Sequence, residues 1–254
     1  NGVMNDSLTE HIATSLVGSS AGTPTDIHYS QRCEVLRMKF GEREKNFQLA
    51  ETHVVKILDE IFKKRISSKI QFKPEIFSRI KKFPSFWKKL HDKEIEEGIQ
   101  ADPFGRITDC VGAKVIFYNL TDYEAAVKML GNSGKFTSFK GKKPLGENKK
   151  NEFQYEATHF DVRFSSKALG PFDDDIEDIC MEIQLKTIIG DAMNYVHHEL
   201  VYKDFDRDRP LTAAEKASMI SDFRQAGALL LTADQKIKEI CAKYDSRKPT
   251  GGRK

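Results

Sequence analysis

The sequence predicts an α+β domain with helices flanking a mixed β-sheet. Three observations carry this. Apolar residues recur at helical spacing near both ends of the chain, β-branched and aromatic runs fill its middle, and the two kinds of segment do not alternate regularly. With 254 residues, 39% of them hydrophobic and 31% charged, the chain can build one substantial core with an appended helical part.

Taken in order, residues 1–40 are polar, with Ser, Thr, Gly and Pro clustered from Ser19 to Thr25, and read as a flexible N-terminal arm. From Glu42 to about Arg65, apolar residues at Phe47, Ala50, Val54, Ile57, Leu58 and Ile61 predict an amphipathic helix. A second helix is expected from Ser85 to about Gln100, with Pro84 just before it. Ile107 to Tyr118 reads as a buried strand, interrupted at Gly112. Thr121 to Met129 reads as a short helix capped by Thr121, with Glu124 three residues on.

Lys135–Phe139, Phe153–Phe164 and Ile179–Leu185 are further strand candidates. Lys140 to Asn151 is a basic loop too polar for a core element. Ile188 to Tyr202 is expected to be helical. After Pro210 a long helix or helix pair carries Met219, Ile220, Phe223, Ala226, Leu230, Ile237 and Ile240 on one stripe. The expected organisation is an arm over 1–40, a main domain over 41–205, a C-terminal helical extension over 206–245 and a disordered tail over 246–254.

Composition excludes some classes. No apolar run approaches the roughly 20 residues needed to span a bilayer, and no secretory signal is visible. Cys33, Cys110, Cys180 and Cys241 form no C-x-x-C pair, which argues against a zinc site and for a reducing, cytoplasmic setting. A net charge of +3 against 41 basic and 38 acidic groups does not by itself indicate nucleic acid. Oligomeric state is left open by the sequence.

The chemistry concentrates in a few residues. Arg79, Lys81, Ser85 and Lys89 form a cationic row whose donors suit a polyphosphate. Ser85 and Lys89, four apart, share a helix face, while Arg79 and Lys81 precede that helix at its positive end. Asp109 and Glu182 each stand in an otherwise apolar strand-like run, where a carboxylate is costly unless paired, exposed or bound to metal. A shared magnesium site explains two such carboxylates better than two separate salt bridges, and points to phosphoryl-type transfer from a nucleotide. Leu90-His91-Asp92 lies inside the predicted helix and reads as exposed surface, and His198-Glu199 carries no zinc-protease site, since Tyr202 stands where that motif needs its second histidine.

These residues, in this order, resemble the synthetase domain of the RelA/SpoT family, of the small alarmone synthetase type without a hydrolase domain. The family pattern R-x-K-x-x-x-S-x-x-x-K is matched by Arg79 to Lys89. It continues in Asp109-Cys110-Val111-Gly112-Ala113-Lys114, Gln154-Tyr155-Glu156-Ala157-Thr158-His159, Glu182 to Thr187, and His198 to Lys203. The resemblance implies a nucleotidyltransferase-like synthetase fold. It also implies transfer of the β,γ-pyrophosphate of ATP to the 3′-hydroxyl of GDP, GTP or GMP, with release of AMP and with Mg2+ as cofactor. By the same resemblance Arg79 stacks on the adenine, and Lys81, Ser85 and Lys89 grip the ATP phosphates. Asp109 binds the metal, and Glu182 binds it or accepts the 3′-hydroxyl proton. Tyr155 stacks on the acceptor base, an aromatic contact contributing about 1–3 kcal/mol. His159 and Gln184 support the site, and Lys142, Lys143, Lys149 and Lys150 are candidates for the acceptor phosphates. Three positions depart from the pattern: Lys114 and Lys186 replace arginines, and Gln154 replaces the glycine before the tyrosine. They bear on the acceptor's identity. The alternative is a toxic relative that pyrophosphorylates adenosine nucleotides or the tRNA 3′ end.

Overall fold

The structure, a computed structural model, describes residues 24–63, 72–98, 102–138, 147–150, 156–169, 174–200 and 211–246. Helices α1 (Pro24–Glu42) and α2 (Glu44–Lys63) lead into strand β1 (Glu75–Ile80) and helix α3 (Phe83–Glu97). A short helix α4 (Pro103–Arg106), strand β2 (Val111–Phe117), helix α5 (Leu120–Asn132) and strand β3 (Phe136–Ser138) follow. Strands β4 (Glu147–Lys150), β5 (Glu156–Phe164) and β6 (Met181–Thr187) precede helices α6 (Ile188–Leu200) and α7 (Ala213–Ser246).

The six strands form one mixed sheet in the order β1-β2-β6-β5-β3, with β4 also paired to β5. Only β2 and β6 run parallel; β1 to β2, β5 to β6, and both β3 and β4 to β5 are antiparallel. Alternation gives the sheet two unlike faces. Val111, Ala113, Val115 and Phe117 in β2, Met181, Ile183 and Leu185 in β6, and Phe160, Val162 and Phe164 in β5 are buried on one face. Helices α2 and α5 cover that face. Phe62 meets Phe117 edge-on at 5.5 Å, and the Tyr123 and Thr158 hydroxyls bond at 2.7 Å. The opposite face keeps its polar side chains, and the site is built there.

The structure differs from the sequence reading in several places. The arm expected over 1–40 is helical from Pro24 onward, because Leu36 and Phe40 are buried in the core while charged neighbours disguise their spacing; residues 1–23 lie outside the described residues. Arg79 lies on a strand, β1, with no apolar run to announce it. Asp109 stands in the turn that feeds β2 rather than within the strand. Helix α3 starts two residues early, with Pro84 inside its first turn, where a missing N–H costs nothing. Helix α5 is capped by Asn119, whose side chain accepts from the Asp122 amide at 2.8 Å, and not by Thr121. Part of the presumed basic loop forms the edge strand β4.

Helix α7 begins with a capping box, Thr212 accepting from the Glu215 amide at 3.2 Å while the Glu215 carboxylate receives the Thr212 amide at 2.8 Å. It is fastened by a buried bond, Thr187 Oγ1 donating to Asp234 Oδ2 at 2.7 Å. The expected C-terminal stripe is only partly buried, and Ile240 is exposed. The tail beyond 246 lies outside the described residues. Among the described residues no helix is long and apolar enough to cross a membrane, and the four cysteines are free thiols.

Candidate active site

The pairing register aligns the predicted residues on the polar face. Arg79 lies opposite Gly112, Gly112 opposite Glu182, and Glu182 opposite Asp161, giving a row across four strands. The next row on the same face is Phe77, Lys114, Gln184 and His159. Arg79 lies along the Gly112 backbone: a Cβ at Gly112 would stand 3.5 Å from its Cγ and Nε. The arginine side chain thus lies within van der Waals reach of this glycine.

Asp109 follows buried Ile107 and precedes buried Cys110 and Val111, which fix the turn. Lys81 Nζ reaches Asp109 Oδ2 at 3.0 Å and Lys89 Nζ reaches Oδ1 at 3.0 Å. Lys81 is held from its backbone too, its amide donating to the Cys110 carbonyl at 2.8 Å. Burial acts to raise the Asp109 carboxyl's pKa, but the two lysines outweigh it and the net shift is downward. Helix α3 sets Lys89 one turn beyond Ser85, while Phe86 and Leu90 on its other face bury in the core.

Glu182 is equally constrained. His159 Nδ1 lies 2.9 Å from its Oε1, and Gln184 Nε2 donates to its Oε2 at 2.6 Å. Burial alone would raise its pKa. The bonds from His159 and Gln184, with the charges of His159 and Lys89, instead lower it from 4.5 to about 2. Lys89 is thus paired with Asp109 and acts on Glu182 through its charge.

The depressed pKa has a consequence for stability. A carboxylate with a lower pKa folded than unfolded contributes stability that is complete above the unfolded value and is lost on acidification through the folded one. Urea unfolding of the wild type should therefore lose stability between pH 4.5 and about 2. Glu182→Gln should show a shallower decline over that window; parallel wild-type and variant curves would contradict the linkage.

Two groups on this face were not anticipated. Asp191, in the first turn of α6, holds Lys114 Nζ at 2.8 and 2.9 Å and stands 3.9 Å from Lys186 Nζ, so one carboxylate gathers the two lysines that depart from the family pattern. Asp161 flanks Glu182 and accepts from Thr108 Oγ1 at 3.4 Å. Asp161 could have been found by extending the β5 alternation two residues past His159. Asp191 carried no signal, since its contacts arise only on folding.

Arg79, Lys81, Lys89, Asp109, Glu182, Gln184 and His159 thus share one region of the polar face and the turn beside it, with Ser85 on the helix that delivers Lys89. Tyr155, Lys142 and Lys143 lie outside the described residues, as do the side chains of Lys149 and Lys150, whose backbone forms β4. Among the described residues no group of three or more His, Cys, Asp or Glu is arranged to hold a metal. The donor chemistry nevertheless suits a hard cation. Asp109 Oδ1 is buried with no hydrogen bond of ordinary geometry despite its ion pair to Lys89. Magnesium is commonly held by one or two carboxylates together with substrate phosphates.

A mixed sheet whose polar face, with the turn and helix beside it, joins a cationic row to two ionised carboxylates defines a protein suited to binding polyphosphate. Residues 78–207, just over half of the chain, match the family described as the region found in RelA / SpoT proteins, and the chain belongs to that family. Among solved structures, the fold is similar to the small alarmone synthetase 1 from Bacillus subtilis. The TM-score is 0.61 and the identity 16%, covering 82% of this chain and 98% of that one. A GTP pyrophosphokinase family protein from Streptococcus pneumoniae aligns with TM-score 0.60 and 16% identity over 85% and 98% of the two chains. The Bacillus subtilis synthetase 1 bound to its product pppGpp gives TM-score 0.57 and 14% identity over 81% and 98%. At such identities the likeness is one of fold. No curated protein matches the sequence.

Proposed function

We propose that this chain is an ATP:nucleotide 3′-pyrophosphotransferase that makes (p)ppGpp-type alarmones from ATP and GDP, GTP or GMP. The observation that carries the reading is the convergence of Lys81 and Lys89 on Asp109, beside the polar sheet face that holds the ionised Glu182. In the reaction the acceptor's 3′-oxygen forms a bond to the β-phosphorus of ATP while the bond from that phosphorus to the α-phosphate oxygen breaks. AMP departs and the 3′-hydroxyl proton is released. Such transfer is catalysed mainly by positioning and by neutralising charge on the moving group.

Each residue's part follows from its surroundings. Arg79, beside Gly112, offers a planar cation on which the adenine can stack. Lys81, Ser85 and Lys89 face the donor phosphates, and phosphate oxygens would replace Asp109 as partner of the lysines. Asp109 and Glu182 would hold Mg2+, which when bound supplies positive charge to the β- and γ-phosphates. Glu182 would serve either that cation or, as acceptor, the 3′-hydroxyl proton. His159 and Gln184 hold Glu182 ionised and oriented. Tyr155 and the lysines at 142, 143, 149 and 150 complete the acceptor side by family resemblance.

The reading is tested by incubating the protein with γ-labelled ATP, magnesium and, separately, GMP, GDP, GTP, adenosine nucleotides and tRNA. AMP release with a 3′-pyrophosphorylated guanosine product is expected. Label transferred only to adenosine nucleotides or tRNA would replace the acceptor, and nucleotide binding without AMP release would remove the enzymatic reading.

A further inference from the structure

Helix α1 lies outside the stretch that matches the family, yet it packs along α3, the helix that carries Ser85 and Lys89. Phe40 meets Phe83 at 5.6 Å and Phe86 at 5.2 Å, and the Arg37 guanidinium lies 5.3 Å from the Phe83 ring centre. Further along, Tyr29 stands edge-on to His91 at 4.9 Å, and His91 lies parallel to Trp87 at 5.7 Å. The apolar stripe of α3, Phe86 then Leu90, continues not in a third hydrophobe but in Glu94, whose side chain is fully buried. Arg32 answers it with both ends of its fork: Nε donates to Oε2 at 3.2 Å and Nη2 to Oε1.

A buried carboxylate is tolerated only with its partner in place, and a two-pronged contact fixes register as well as distance. We propose that Arg32, acting through Glu94, is a positioning residue for the donor nucleotide. It locks α3, the helix that also carries Ser85, at the height that sets Lys89 3.0 Å from Asp109. The inference rests on the donor-site reading above. It gives a function in the synthetase to a segment outside the family match.

Trp87 is the only tryptophan, and it lies on α3 between Ser85 and Lys89, so its emission reports this helix directly. A non-hydrolysable ATP analogue with magnesium is titrated into the full chain, following Trp87 fluorescence, for wild type, Arg32→Ala, Glu94→Gln and the double variant. Below the unfolding temperature of each, Kd for the analogue should rise about tenfold in either single variant, the scale expected when a binding group is displaced by a fraction of an ångström. KM for ATP should rise in parallel with kcat nearly unchanged. The double variant should be no worse than either single one, because both break the same contact. If Arg32→Ala does not fold, Glu94→Gln and Arg32→Lys carry the same test. Wild-type Kd in the folded variants, or additive losses in the double, overturns the positioning role. No analogue binding by the wild type overturns the donor-site reading and the proposal with it.

Discussion

Glu182→Gln should lower pyrophosphate transfer by roughly a hundred- to a thousandfold, the range seen when one preorganised electrostatic group is removed from an active site. The substitution keeps the shape of the side chain and removes its charge. Gln184 and His159 would then face a neutral amide, and the cation at this position would lose one of its two anionic ligands. The loss should appear in kcat, while KM for ATP changes little, because Lys81, Ser85 and Lys89 remain in place. Steady-state AMP release at saturating magnesium measures it. Activity within a few-fold of wild type would remove Glu182 from the reaction.

Asp109→Asn should also act on both activity and stability. Lys81, with a side chain 11% exposed, and Lys89 share this carboxylate at 3.0 Å each. Neutralising it leaves a nearly buried ammonium beside a second one with no anion between them. Removing one member of such a buried arrangement costs about 3–5 kcal/mol at the upper end, less here because Lys89 can swing into water. A loss of about 1–3 kcal/mol in urea unfolding is expected, together with loss of transfer activity. Saturating nucleotide should restore part of the stability, since phosphate oxygens replace the missing anion. A variant as stable as wild type would show that the two ion pairs contribute nothing to the fold.

The sheet's centre was legible because its pattern is strong. Val111 to Phe117 and Met181 to Thr187 are dense in β-branched and apolar residues, and α2 shows a clear 3.6-residue period. The edges were not. In β1, four of six residues are exposed, and an edge strand on an open face needs no apolar alternation to form. Helix α1 was hidden for a related reason: Leu36 and Phe40 anchor it among Arg32, Glu34, Arg37 and Lys39, so its composition reads as polar.

The site shows the same division. Arg79, Lys81, Lys89, Asp109 and Glu182 could be named because ordered motifs place them in sequence. Their contacts with one another could not. Lysines assigned to phosphate and an aspartate assigned to metal pair with each other here, as opposite charges brought together by the fold do. The pairings of Asp191 with Lys114 and Lys186, of Asp161 with Thr108 and of Arg32 with Glu94 join positions between 5 and 77 residues apart, and no local pattern announces such pairings.

The most direct measurement is a crystal structure of the chain with magnesium and a non-hydrolysable ATP analogue. It should show one ion coordinated by side-chain oxygens of residues 109 and 182, with the ammonium groups of residues 81 and 89 moved onto phosphate. An ion held by neither carboxylate, or nucleotide seated away from the polar sheet face, would contradict the account.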